Sequence, residues 1–243
     1  QHFSVVRISV PGIHQKPGSN LAAPLWLHYA FARWANRAGV DLVWAPNLLA
    51  PGPLCKVPQV VTVHDLAPYQ PHDFQKPLWK IMFKATFPLG ITSAKRIITD
   101  SHFVGNEISN RFPTCSQKVA PIHLGLRSLP KLQDDSCVKN IILAVGNLTA
   151  RKNYLMLVEA WGKVSKSMIE NHRLVLCGKP GWGFEEIRST VDASPYRNSI
   201  TIDTQADDAM LRDYYRQALI FVMPSLYEGF GLPVVEAKIG RAH

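Results

Sequence analysis

The feature that most limits what this 243-residue chain can become is an alternation of short apolar runs with longer amphipathic ones, carried through twice. In the first half, residues 3–10, 40–45, 59–63, 97–99 and 119–122 fit strands, and 21–38, 76–96 and 103–112 fit helices. Pro88 and Gly90 should break or kink the second of those helices. A polar stretch, 127–137, reads as a linker, and the rhythm then restarts. Strands are expected at 140–145, 172–177, 199–202 and 219–223. Helices are expected at 154–167, 184–193 and 208–217, with another opening at Pro233. Strands alternating with helices imply parallel sheets covered on both faces. Two such runs imply two Rossmann-like α/β domains, 1–130 and 138–243.

In open parallel sheets, ligands bind beyond the carboxyl ends of the strands. Polar and glycine-rich residues gather there: His64-Asp65, Asp100-Ser101, His123-Leu124-Gly125, Gly146 to Lys152, Gly178-Lys179, and a turn at 224–236. That turn reads P-S-L-Y-E-G-F-G-L-P-V-V-E. Gly229 and Gly231 flank Phe230 and let backbone N–H groups approach a ligand, and Pro233 suits the first turn of a helix after Leu232. Glycine-rich strand-to-helix turns are common without any ligand. The paired carboxylates, Glu228 and Glu236, distinguish this one.

The segment G-N-L-T-A-R-K-N, 146–153, leaves a strand and opens a helix, with Asn153 a candidate N-cap. Arg151 and Lys152 beside a helix start suit a diphosphate. An R-K pair alone is usually a solvated loop; the second helix start at Leu232-Pro233 favours phosphate binding. The P-loop pattern is absent. His64 ends the strand V-V-T-V, where a histidine is more often structural than catalytic, and Asp65 either holds its ring or caps the next turn. No D-x-D triplet or ligand-spaced histidine set occurs, so no metal or other cofactor is expected, and protein cations must stabilise any departing diphosphate.

Residues 1–130 hold 13 Lys+Arg against 5 Asp+Glu, whereas 131–243 hold 14 against 13. A basic first half suggests an anionic partner there, either lipid head groups or a phosphorylated substrate; no nucleic-acid recognition module is visible. Lys76, Lys80 and Lys84 recur at helical spacing among Trp79, Met82, Phe83 and Phe87, which fits either a basic amphipathic helix on an anionic membrane or a plain surface helix. Four scattered cysteines without a C-x-x-C pair fit reduced thiols of a cytosolic protein, and the basic segment adds peripheral contact with the inner face of a membrane as an expectation.

The stretch E-G-F-G-L-P-V-V-E resembles the E-x7-E motif of glycosyltransferase family 4, the retaining enzymes of GT-B fold. V-V-T-V-H-D-L, I-I-T-D-S-H-F, H-L-G-L, A-V-G-N-L-T-A-R-K-N and L-V-L-C-G-K are similar to further segments of that family, so the resemblance runs along nearly the whole chain. It implies two Rossmann-like domains whose parallel sheets face each other across a cleft. It implies transfer of a hexose, such as mannose, from a nucleoside-diphosphate sugar to an acceptor hydroxyl on a glycan or lipid-linked saccharide, without a metal. It implies that Arg151 and Lys152 hold the donor diphosphate, with Gly146 and Gly178 nearby. Glu236 would bind the ribose, Glu228 would face the donor sugar, and the amides around Gly229, Phe230, Gly231 and Leu232 would meet its phosphate. His64 would approach the sugar from the other domain. A nucleotide-sugar epimerase or a non-catalytic nucleotide-sugar-binding protein of the same architecture is the alternative. The family's opening strand and glycine-rich loop do not precede Phe3, and I-G-R-A-H matches a translated sequencing adapter. The expectation is therefore a fragment cut at both ends, with both domains incomplete and residues 238–243 non-native.

Overall fold

The computed structural model describes residues 27–71, 77–125 and 140–239. The expected strand at 3–10, Lys76, the linker at 127–137 and residues 240–243 lie outside them. The chain divides into two compact units, Gln1–His64 with Pro77–Pro121, and Asp65–Lys76 with Ile122–His243.

The first unit is built on four parallel strands in the order β1 (Val43–Ala45), β2 (Gln59–Val63), β3 (Arg96–Thr99), β4 (Val119–Pro121). A π-helical turn, Leu27–Phe31, leads into helix α1 (Ala32–Arg37), so the expected single helix here is irregular. Helix α2 (Pro77–Ser93) runs unbroken through Pro88 and Gly90, contrary to the expected break. Its inner face explains why: Phe83, Phe87 and Ile91 are buried, and a Cβ on Gly90 would sit 3.1 Å from the backbone of Ala50. That burial outweighs the proline penalty of about 3 kcal/mol. The apolar residues of this segment divide between two faces. Phe83 and Phe87 serve the core and Trp79 stacks on Phe83, while Leu78, Ile81 and Leu89 face outward. Helix α3 (His102–Arg111) is capped by Ser101, whose Oγ accepts from the Val104 N–H.

In the second unit the parallel order is β7-β6-β5-β8, from β5 (Ile141–Val145), β6 (Arg173–Cys177), β7 (Ile200–Asp203) and β8 (Ala218–Phe221). Alternate side chains point to opposite faces, and both faces are covered. Ile142, Ala144, Leu174 and Leu176 pack with helices α4 (Tyr154–Trp161) and α6 (Phe184–Ala193). Ile141, Leu143, Val175 and Cys177 pack with α7 (Asp208–Gln217) and with Ala237 of α8 (Leu232–Ile239). The expected helix at 154–167 ends early: Gly162 closes α4, and Ser165 caps a separate helix, α5 (Lys166–Asn171), by accepting from the Met168 N–H. Lys238 and Ile239 are the last two residues of α8. Cys55, Cys115 and Cys177 are free and buried.

Candidate active site

Strand order locates the most informative place in the second unit. From β5 the chain steps one way to β6 and β7, then returns to the other side of β5 to lay down β8. Such a reversal marks the place, outside the carboxyl ends of β5 and β8, where doubly wound sheets take ligands. The two turns singled out by sequence, 146–153 and 224–236, are the ones that follow these two strands.

Glycines let the chain turn here. Gly146, at φ +143°, donates its N–H to Cys177 O at 2.9 Å, and a Cβ on it would press on Lys152 Cε at 3.1 Å. A Cβ on Gly178 would fall 2.1 Å from Gly146 O, so these two strand ends approach only as glycines. Leu148 N–H then donates to Lys179 O at 2.8 Å, and a 3-10 turn at Ala150–Lys152 carries the two cations. Asn153 differs from the expected cap. It stands in the left-handed region at φ 57°, makes no side-chain cap bond, and sends Nδ2 to Pro224 O at 3.2 Å. Leu226 N–H donates to Arg151 O at 3.0 Å and Arg151 Nη1 to Tyr227 O at 2.7 Å, so the two turns are laced together.

At their junction both cations meet one carboxylate. Arg151 Nη1 donates to Glu228 Oε2 at 3.0 Å, and Lys152 Nζ donates to Glu228 Oε1. Lys152 is only 7% exposed, so its charge requires such a partner. Burial pulls the Glu228 carboxyl upward, but Lys152 and Arg151 outweigh it and hold Glu228 below the usual glutamate range. Tyr154 donates to Gly146 O at 3.1 Å; burial, followed by Glu228, raises its hydroxyl well above the ordinary tyrosine value.

Past Glu228 the chain turns through buried Gly229 and through Gly231 at φ +85°, a conformation glycine adopts without strain. Helix α8 then starts at Leu232, one residue before the proline. Phe230 lies 5.9 Å from the His123 ring. Glu236, on the second turn of α8, accepts from the Tyr215 hydroxyl at 2.9 Å.

In the first unit, His64 ends β2. Its Nδ1 lies 2.7 Å from Asp100 Oδ2 and its Nε2 2.9 Å from Pro46 O, so both ring nitrogens are fixed while 41% of the side chain stays exposed. Asp100, at the end of β3, holds the ring. Asp65 instead accepts from Ala67 N–H at 3.0 Å and caps the next turn. Sequence reasoning put Asp100 at a strand end but missed this pairing, and it missed Tyr154, Tyr215 and Tyr227 altogether. Tyr227 O takes the Arg151 guanidinium, and its hydroxyl accepts from Leu66 N–H at 2.8 Å. Nothing in the linear sequence pairs residues so far apart. Among the described residues, no three His, Cys, Asp or Glu side chains cluster as metal ligands.

Two parallel Rossmann-like sheets, with cations, glycine turns and glutamates at a switch point, define the class as GT-B. Residues 3–127 match the model described as Glycosyltransferase Family 4, and residues 136–239 match that of glycosyl transferases group 1. The chain belongs to glycosyltransferase family 4. It is 28% identical over 228 residues to O-antigen chain mannosyltransferase B of Escherichia coli, covering 87% of this chain and 58% of that protein. With O-antigen chain mannosyltransferase RfbU of Salmonella typhimurium it shares 26% over 181 residues, 74% of this chain and 49% of the relative. The chain thus spans about half the length of these curated relatives. The solved structure of WaaG, described as a glycosyltransferase involved in lipopolysaccharide biosynthesis, superposes with a TM-score of 0.69 at 14% identity, over 87% of this chain and 60% of that one. That likeness is one of fold.

Proposed function

We propose that this chain carries the donor half-site of a retaining glycosyltransferase, whose whole protein moves a hexose from a nucleoside-diphosphate sugar to an acceptor hydroxyl on a glycan or lipid-linked saccharide. The observation that carries the reading is the meeting of Arg151, Lys152 and Glu228 at the reversal of strand order. The mannosyltransferase relatives favour mannose as the sugar.

Arg151 and Lys152 take the donor diphosphate by exchanging their bonds to Glu228 for bonds to phosphate. As the glycosidic bond breaks, negative charge gathers on the leaving diphosphate, so these cations stabilise the transition state more than the ground state. Two fixed cations and the helix start at Leu232 supply the electrostatics that a metal would otherwise provide, and the reaction proposed is metal-independent. Glu228, released, turns to the donor sugar; the amides at Phe230, Gly231 and Leu232 meet its phosphate; Glu236 takes the ribose. For His64 we assign contact with the donor sugar, its ring held by Asp100.

The location proposed is cytoplasmic, with peripheral attachment to an anionic membrane. Support comes from α2, which carries Lys80 and Lys84, no acidic residue, and an exposed Leu78 and Ile81. No helix among the described residues is long and apolar enough to cross a bilayer. The test is incubation of the full-length protein with labelled nucleotide sugars, GDP-mannose among them, and membrane extract. Transfer of label to lipid or glycan is expected. Interconversion of donors, or binding without transfer, would overturn the reading.

A further inference from the structure

Tyr215 is a buried polar group that the proposed chemistry leaves unused. It lies near the end of α7 with 3% of its surface exposed, packed with Leu143, Val175, Ala218 and Ala237, and its ring lies 5.9 Å from Phe221. Phenylalanine would fill that core equally well, so packing alone does not call for the hydroxyl. The oxygen instead reaches out of the core to one atom, donating to Glu236 Oε2 at 2.9 Å. Ala237, the next residue on α8, is buried in the same cluster and fixes the helix on which Glu236 rides.

We propose that Tyr215 is a positioning residue for nucleotide recognition: its hydroxyl pins one carboxylate oxygen of Glu236 and aims the carboxylate at the two vicinal hydroxyls of a ribose. The inference rests on the donor reading above. An ionised carboxylate has about four acceptor positions, so one bond to Tyr215 leaves capacity for a pair of ligand hydroxyls. A glutamate on a helix surface otherwise samples several rotamers and must be ordered by its ligand. A phenol anchored in a packed core removes that cost before the ligand arrives. Burial, then the charge and hydrogen bond of Glu236, push the Tyr215 hydroxyl far above the ordinary tyrosine value, so it remains a donor throughout the working pH range.

The geometry separates positioning from packing by what the ligand carries. Calorimetry on the full protein would use GDP and UDP, the 2′,3′-dideoxy form of whichever binds, and inorganic pyrophosphate. Wild type should prefer the ribonucleotide over its dideoxy form. Tyr215→Phe should cut that preference by about tenfold, the scale of one charge-assisted hydrogen bond, and leave pyrophosphate affinity unchanged. With Glu236→Gln as background, adding Tyr215→Phe should change ribonucleotide affinity little further. Replacement of Tyr215 by 3-fluorotyrosine, which keeps both ring and donor, should keep the preference.

Three results would overturn the proposal alone: a full ribose preference in Tyr215→Phe, an equal loss for all three ligands, or an equal loss with 3-fluorotyrosine. A wild type that binds neither nucleotide would overturn the donor reading and this inference with it.

Discussion

Replacing Glu228 with glutamine should move stability and anion affinity in opposite directions. In the structure this carboxylate is the shared partner of Arg151 and Lys152, and Lys152 is nearly buried. Glutamine keeps an acceptor but leaves two cations facing each other without a counter-charge, which should cost the second unit about 2–3 kcal/mol, below the full ~3–5 for stripping a buried pair of its partner. The same change removes a negative charge from beside the proposed phosphate site. At about 6 Å and an effective dielectric of about 20–40, one unit charge contributes ~1.4–2.8 kcal/mol, so pyrophosphate should bind about tenfold tighter or better. Urea unfolding and calorimetry measure the two effects. The stability gap has a pH signature as well. Because Glu228 titrates below the usual glutamate value of ~4.3, its stabilisation is complete above that pH and is lost as pH falls through the lower folded-state value. Wild type and Glu228→Gln should therefore converge in stability at acid pH. A variant as stable as wild type at neutral pH that binds pyrophosphate no more tightly would refute the reasoning.

Gly178→Ala should destabilise the second unit by about 3 kcal/mol in chemical unfolding, since the new methyl must push Gly146 O away from its 2.1 Å approach. Near-wild-type stability would mean that the two strand ends can separate freely. Arg151→Ala and Lys152→Ala should each lower transfer turnover by about 100-fold or more, the scale of removing a group that stabilises developing charge, and normal donor turnover in both would remove that assignment. Leu78→Glu combined with Ile81→Glu should leave the melting temperature nearly unchanged, because both side chains are exposed, while reducing co-sedimentation with anionic liposomes. Equal sedimentation of both proteins with neutral and anionic vesicles would end the membrane reading.

How much of this was legible in the sequence depends on distance along the chain. Strand β2 and helices α6 and α7 fall where their patterns put them, because their signals are local. Gln59–Val63 is a β-branched run between Pro58 and His64, and Asp207 caps α7 by accepting from the Ala209 and Met210 N–H groups. Misreadings came where tertiary packing overrode a local rule, as at Pro88, or where a short linker hid a second cap, as at Ser165. At the site, residue types and strand ends were visible, but the partners were not. Glu228 lies more than 75 residues from the cations it joins, Asp100 lies 36 from His64, and Glu236 lies 21 from Tyr215. Sequence spacing carries no trace of such contacts; only the order of strands in the sheet brings them together.

The buried cysteines give the molecule an internal clock. Cys177 closes β6 beneath the site; burial, followed by the charge of Asp203, pushes its thiol up to about 11. Only the thiolate is alkylated readily, so in the folded second unit this sulfur is both shielded and chemically quiet. Cys55 and Cys115 are similarly enclosed in the first unit. The rate at which each takes up a thiol reagent therefore times the opening of its own unit, and peptide mass spectrometry can read the two opening rates from a single reaction mixture.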